Sequence, residues 1–146
     1  MKKTGFAFEF EPPDGWVEFK DGARHVFQGP GGEELIISGY VVEGAASGAS
    51  LDDVRGRLFD GAVRSIEDAA SHPELEVTAP LRRDENVENC PCWRLGAKTL
   101  DGETLFEQAI FTGERAVLLV TFESPNNAGA EESYARFLRT VRSLPD

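Results

Sequence analysis

Cys90-Pro91-Cys92 is the local pattern that most invites chemistry, because two thiols one residue apart could bind a soft metal or cycle between thiol and disulfide. Neither use fits the surroundings. Zinc sites recruit four ligands with C-x-x-C or His spacing, and none lies nearby in sequence. A bridge across a single residue would strain the disulfide geometry. Reduced structural thiols are expected, with Pro91 marking a strand edge or bulge.

His25 and His72 are the two imidazoles. His25 becomes a general base only if a nucleophile and an orienting carboxylate converge on it in space, and His72 sits where a helix ends and suits the C-terminal dipole. The carboxylate pairs Glu33-Glu34, Asp52-Asp53 and Glu131-Glu132 fall at turns or helix starts, where structure already explains them. Gly29-Pro30-Gly31-Gly32 has no Lys-Ser/Thr after it and no following helix, so it reads as a turn and not as a phosphate loop. These candidates assign no catalytic, cofactor-binding or metal-binding residue, no cofactor is expected, and the binding residues are left open.

Trp16, Trp93, Phe27, Phe106 and Phe111 are spread over several strand candidates, and core packing is their expected role. The alternative is that a sheet with too few helices leaves one apolar face available to a partner.

Composition narrows the function classes. The 146 residues suit one domain spanning 1–146, and 40% apolar content with ten Phe and two Trp is enough to fold. Twenty-six acidic against fifteen basic residues give a net charge of −11, which opposes a sequence-independent grip on nucleic acid or on anionic membranes. Met1-Lys2-Lys3 is followed by alternating Phe and Glu where a signal peptide needs an apolar run, so no export is expected. No apolar stretch approaches membrane-spanning length.

The elements that must position these residues follow from periodicity. Phe6, Phe8 and Phe10 alternate with Ala7, Glu9 and Glu11, as in a strand with one buried face, and Pro12-Pro13-Asp14-Gly15 ends it. Trp16 to Phe19 and His25 to Gln28 flank an Asp21-Gly22 turn. Glu34 to Val42 is apolar on both faces, with Leu35, Ile37 and Val41 on one and Ile36, Tyr40 and Val42 on the other, and such a strand wants cover on both sides. After the small-residue loop Gly44 to Ser50, Ser50 caps a helix with Asp52 and Asp53 in its first turn. Its stripe is Leu51, Val54, Leu58, Ala62, Ile66 and Ala69, and Ser71-His72-Pro73 stops it.

Leu75 to Leu81 reads as a strand and Arg82 to Asn86 as a solvated loop. Cys92 to Leu100, Thr104 to Phe111 and Arg115 to Glu123 form a meander with tight turns, hence antiparallel. Asn126 or Asn127 caps a last helix whose stripe is Tyr134, Phe137, Leu138, Val141 and Leu144, with Arg136, Arg139 and Arg142 in its second half. The fold class is α+β, a mainly antiparallel β-sheet with helices packed on it.

Phe8-Glu9-Phe10-Glu11-Pro12-Pro13-Asp14-Gly15-Trp16 resembles the opening of the Mog1/PsbP-like superfamily, which includes the bacterial DUF1795 branch. Ala116 to Pro125, followed by a helix finishing in Phe137 to Leu144, is similar to the family's closing strand and helix. The resemblance implies an α/β/α sandwich that binds other proteins: a nuclear-transport GTPase, photosystem subunits, or effectors held by chaperone-adaptors of bacterial type VI secretion. It implies no enzymatic activity. Without a signal or transit segment, the resemblance points to a cytoplasmic protein-binding domain, an adaptor or chaperone associated with bacterial secretion, whose partner is a protein of unknown identity. A small-molecule pocket between sheet and helix, an immunity-type masking protein and a homodimer are the other readings.

Overall fold

The computed structural model of the chain describes residues 2–42, 51–126 and 128–145. The cap at Ser50, the loop Gly44 to Ser50 and Asn127 lie outside the described residues, as do the side chains of Leu51 and Asp52.

β1 (Lys3–Gly5) and β2 (Phe8–Phe10) pair antiparallel with Gly5 opposite Phe8. Phe6 is therefore not part of the strand its alternation suggested. Phe6 and Ala7 form the two-residue turn, with φ of 56° and 64°, the left-handed region that a primed hairpin turn demands and that Gly or Asn usually fills. Packing holds this strained turn in place: Phe8 and Phe10 are wholly buried, and the Phe6 ring stands edge-on to His25.

β3 (Val17–Asp21) and β4 (Arg24–Gln28) make the hairpin expected around Asp21-Gly22, with Gly22 supplying φ of 63°. The Gly29 to Gly32 turn leads into β5 (Glu34–Val41). α1 (Leu51–Ala70) turns Ala62, Ile66 and Ala70 fully inward, while Ala69, expected on that stripe, is exposed. It stops where Ser71 Oγ donates to the Asp68 carbonyl at 2.7 Å, two residues ahead of Pro73.

The meander is β6 (Leu75–Arg83), β7 (Cys92–Thr99), β8 (Thr104–Thr112) and β9 (Ala116–Pro125). Arg82 and Arg83, expected in a loop, extend β6 opposite Arg94 and Trp93. A cation over an aromatic face explains part of this, since the Arg83 guanidinium lies 5.1 Å from the Trp93 ring centroid.

α2 (Ala128–Thr140) buries Tyr134, Phe137 and Leu138, but it ends earlier than its stripe suggested. β10 (Arg142–Ser143) follows and pairs with β2, so Arg142 and Leu144 are not helical. Pairing across the chain wins over helical period here. Thr140 Oγ1 takes the Glu11 N–H at 2.9 Å and the Leu144 N–H donates to the Ala7 carbonyl at 2.9 Å, locking the C-terminal segment to the N-terminal hairpin.

Among the described residues the strands form a three-stranded sheet, β1-β2-β10, and a seven-stranded sheet, β3-β4-β5-β9-β8-β7-β6, antiparallel throughout. The larger sheet separates two cores. On one face α2 and the small sheet pack on Phe27, Leu35, Ile37, Phe111, Leu118 and Phe122. On the other, α1 packs on Leu95, Ala97, Ile110 and Val117. The result is the layered α/β/α arrangement of an α+β protein.

Candidate functional site

Cys90 and Cys92 are both free and buried. Burial pushes the Cys90 thiol up to about 11, and burial together with the Asp84 carboxylate pushes Cys92 up to about 12. Protonated thiols are poor nucleophiles and poor ligands. Among the described residues no group of three or more His, Cys, Asp and Glu side chains is placed to hold a metal.

His25 does meet a carboxylate: its Nδ1 is 2.9 Å from Glu18 Oε2, and Lys3 Nζ lies 3.2 Å from Glu18 Oε1. The His25 hydrogen bond, helped by Lys3, holds the Glu18 carboxyl below its usual range. The ring itself is walled in, stacked at 7° on Phe27 and edge-on to Phe6 and Phe10. Nε2 faces Gly5, where even a methyl group would come within 2.7 Å. A base needs an open nitrogen, and this arrangement ties two sheets together instead. His72 Nδ1 accepts the Glu74 N–H at 3.1 Å in the turn after α1.

Among the described residues the candidate carboxylate pairs do not converge. Glu33 is buried in the turn beside Gly29 and Gly31, Glu34 points the opposite way on β5, and Glu132 is engaged by Arg136 at 3.1 Å. The aromatics mostly enter the cores: Phe27 and Phe111 are buried, and Trp16 stacks on Phe122 with centroids 6.4 Å apart. Trp93 is half-buried against Phe59, 4.7 Å between centroids. Phe106 lines a cleft of 460 Å³ at the C-terminal end of α1, with Leu95, Ala97, His72, Gln108 and Thr121. A wider depression of 620 Å³ runs past Cys90 and Trp93, but the Arg55 guanidinium there is taken by the carbonyls of Gly113 and Glu114 at 2.8 and 2.9 Å.

The feature that stands out is the face of the large sheet that α1 covers only in part. Register places Phe19, Val26, Ile36, Thr121 and Gln108 in one row across this face, and Val17, Gln28, Glu34 and Glu123 in the next. α1 lies over the β7 to β9 half. On the β3 to β5 half, Val17 is 57%, Phe19 48% and Tyr40 54% exposed, with Ile36 half-buried between them. Of the face expected to be covered, Val42 is buried, as is Val26 beside Ile36, while Ile36 is half-buried and Tyr40 exposed, so cover on that side of β5 is incomplete. Beside this patch Glu34 stands directly opposite Glu123, and burial together with the Glu34 charge raises the Glu123 carboxyl above its usual range.

No family model and no curated protein matches the chain. Solved structures do. LpqN, involved in cell envelope biogenesis of Mycobacterium tuberculosis, superposes with a TM-score of 0.58 at 11% identity over 94% of this chain and 83% of its own. The cyanobacterial PsbP of Synechocystis sp. PCC 6803 gives 0.56 at 16% identity over 99% of this chain and 92% of its own. A Mog1 mutant gives 0.53 at 7% identity over 99% and 96%. The fold is Mog1/PsbP-like.

On this Mog1/PsbP-like scaffold the residues of the open half-face were absent from the aromatic set singled out in the sequence. Their signal was present in the double-faced pattern of β5 and in the Phe19 side chain of β3, opposite a helix supply of two. The Glu34–Glu123 opposition has no local signature, because it depends on the register between strands about ninety residues apart.

Proposed function

We propose that this chain is a non-catalytic protein-binding domain, a cytoplasmic adaptor or chaperone of the DUF1795 type, that shields a segment of a partner apolar on one side and basic on the other. The observation that carries this reading is the exposed apolar surface of Val17 and Phe19 with half-buried Ile36, next to the opposed Glu34 and Glu123, with exposed Tyr40 farther along β5 on the same face. Contiguous exposed apolar surface marks interaction sites. Three strands at about 4.8 Å spacing make a bed roughly as wide as one helix of about 10 Å diameter, so a partner helix fits alongside α1. Lysines or arginines on that helix would relieve the like-charge pair, a source of electrostatic preference. The Mog1/PsbP-like resemblance favours a client of a bacterial secretion route, and reduced thiols suit the cytoplasm.

The test is titration of isotopically labelled protein with a lysine-rich amphipathic helical peptide. Amide shifts should cluster at Ile36, Tyr40 and Glu123, and Tyr40→Asp or Glu123→Lys should each weaken binding by about tenfold. Binding that is absent, or unaffected by both substitutions, rejects the reading.

A second reading rests on the 460 Å³ cleft, whose apolar lining of Leu95, Ala97 and Phe106 with Gln108 and Thr121 at hand suits an apolar small molecule. A thermal-shift screen that finds one saturable stabiliser lost in Phe106→Ala supports it, and a flat response removes it.

A further inference from the structure

The 460 Å³ cleft and the opposed Glu34 and Glu123 belong to one continuous strip of the large sheet. Register sets Ala97 opposite Phe106, Phe106 opposite Glu123 and Glu123 opposite Glu34. In the neighbouring row Leu95 faces Gln108, and Gln108 faces Thr121. Residues directly opposite in a ladder share a face of the sheet, as do residues two apart on one strand. The apolar floor of Leu95, Ala97 and Phe106 therefore runs straight onto the carboxylate pair. α1 meets the cleft only through its last turn, at Ala69 and Ala70.

The charges around this strip have one sign. Among the described residues Glu74 lines the cleft and no lysine or arginine does. His72 lines it too, but its Nδ1 accepts the Glu74 N–H at 3.1 Å, which is the role of an unprotonated nitrogen. Lys98 sits between Ala97 and Thr99 on β7 and so points to the opposite face. The C-terminal end of α1 is the negative pole of its dipole, and its last turn carries no basic residue to offset that pole. Within the described residues neither Glu34 nor Glu123 makes an ion pair. An apolar molecule with an anionic head meets only like charge here, whereas a cationic head meets two carboxylates.

We propose that the cleft binds a small organic amine, its apolar chain or ring lying over Ala97 and Phe106 and its ammonium group seated between Glu123 and Glu34. This rests on the cleft being a small-molecule site and names the class of molecule it takes. An ammonium carries three N–H donors and no acceptor, which suits a pair of carboxylates, and its charge relieves the repulsion between them. From Ala97 on β7 to the midpoint between β9 and β5 is about 12 Å at the usual strand spacing of about 4.8 Å, a distance suited to a medium-chain alkylamine.

The test is calorimetric titration of the full chain at neutral pH with octylamine, octanol and octanoate, which share a chain and differ in the charge of the head. Octylamine should bind about tenfold more tightly than octanol, and octanoate more weakly than either. Glu34→Gln and Glu123→Gln should each weaken octylamine by about fivefold and leave octanol unchanged. Glu76→Gln removes the same charge from the opposite face, beside Lys98, and should change neither, which separates a seated ammonium from general attraction to a chain of net charge −11. Phe106→Ala should weaken the amine and the alcohol alike. Octanol that binds as tightly as octylamine, or an amine preference that survives both Glu34→Gln and Glu123→Gln, overturns the inference and leaves the cleft a site for neutral molecules. Absence of binding by all three probes overturns it together with the small-molecule reading of the cleft. The lysine-rich peptide is judged separately, because Phe106→Ala should leave its binding intact.

Discussion

Glu34 and Glu123 face each other directly across the β5–β9 ladder, on the side of the sheet that α1 leaves open. Gln28 Nε2 reaches Glu34 at 3.4 Å, a long contact that leaves the two charges largely uncompensated. The arrangement is a local cost kept next to an exposed apolar patch, and it makes the open face more than an unfinished core.

Glu123→Gln should therefore stabilise the chain at neutral pH by about 0.5 kcal/mol, the size of a cross-strand like-charge penalty. The sign of the pH effect follows from burial and Glu34 raising the Glu123 carboxyl. The folded state takes up this proton more readily than the unfolded one, so this site opposes folding above its raised value and ceases to do so as pH falls through it. Denaturant melts of wild type and Glu123→Gln should converge as pH drops toward the ordinary carboxylate range. A gap that is constant with pH would contradict this origin.

Glu18 has the opposite sign. Its carboxyl is held down by His25 first and then by Lys3, so its contribution is present above the ordinary carboxylate value and is lost as pH falls through the lowered folded value. Glu18→Gln should be less stable at neutral pH, and its stability should fall less steeply on acidification. Parallel acid limbs for the two proteins would show that Glu18 is not a linked group.

Arg94 is the charged hub beneath α2, with Nη1 3.1 Å from Asp84, Nη2 2.6 Å from Glu107, and its guanidinium 5.4 Å from the Tyr134 ring centroid. Desolvation opposes its charge, and Glu107 with Asp84 overcomes that penalty, so Arg94 stays protonated. Arg94→Met should cost about 3 kcal/mol, because two carboxylates lose their shared counter-charge. The double variant with Glu107→Leu should recover part of the loss. Equal stability of single and double variants in urea melts would contradict the coupling.

Ala7 carries φ of 64° with no conformational advantage. Ala7→Gly should raise stability by about 1 kcal/mol, since glycine enters the left-handed region without the Cβ penalty. The same substitution at Ala116, buried in regular β9, should destabilise instead. Thermal unfolding of the two variants gives the comparison.

Cys90 and Cys92 should resist alkylation in the native state. With thiols at about 11 and 12, only roughly one Cys90 in a thousand is thiolate at pH 8. Mass spectrometry after iodoacetamide should find both unmodified in buffer and both modified in guanidinium. Rapid native labelling would mean that one thiol is reactive.

The elements whose evidence is local were legible in the residues. The β3–β4 hairpin follows from Asp21-Gly22, the meander from its short turns, and both helices from their apolar stripes, because hydrogen bonds and side-chain periodicity within a few residues decide them. The Phe6 turn was not legible. Alternation predicts a strand, and the chain reverses there only because β10 and the sheet core hold β2 from both sides. The early end of α2 has the same cause, since Val141 and Leu144 would continue the helical stripe, but Arg142 and Ser143 pair with β2 and the Leu144 N–H goes to the Ala7 carbonyl.

By itself the sequence determined a folded, acidic α+β chain, because composition and local period are written residue by residue. Only the tertiary structure decided which strands sit at the edges, that α1 covers one half of its face, and that Glu34 meets Glu123. Those facts depend on strand order and register, and a shift of one residue would turn every side chain of a strand to the other face. The open half-face is a product of that assembly, formed by residues distant in the chain that no single segment announces.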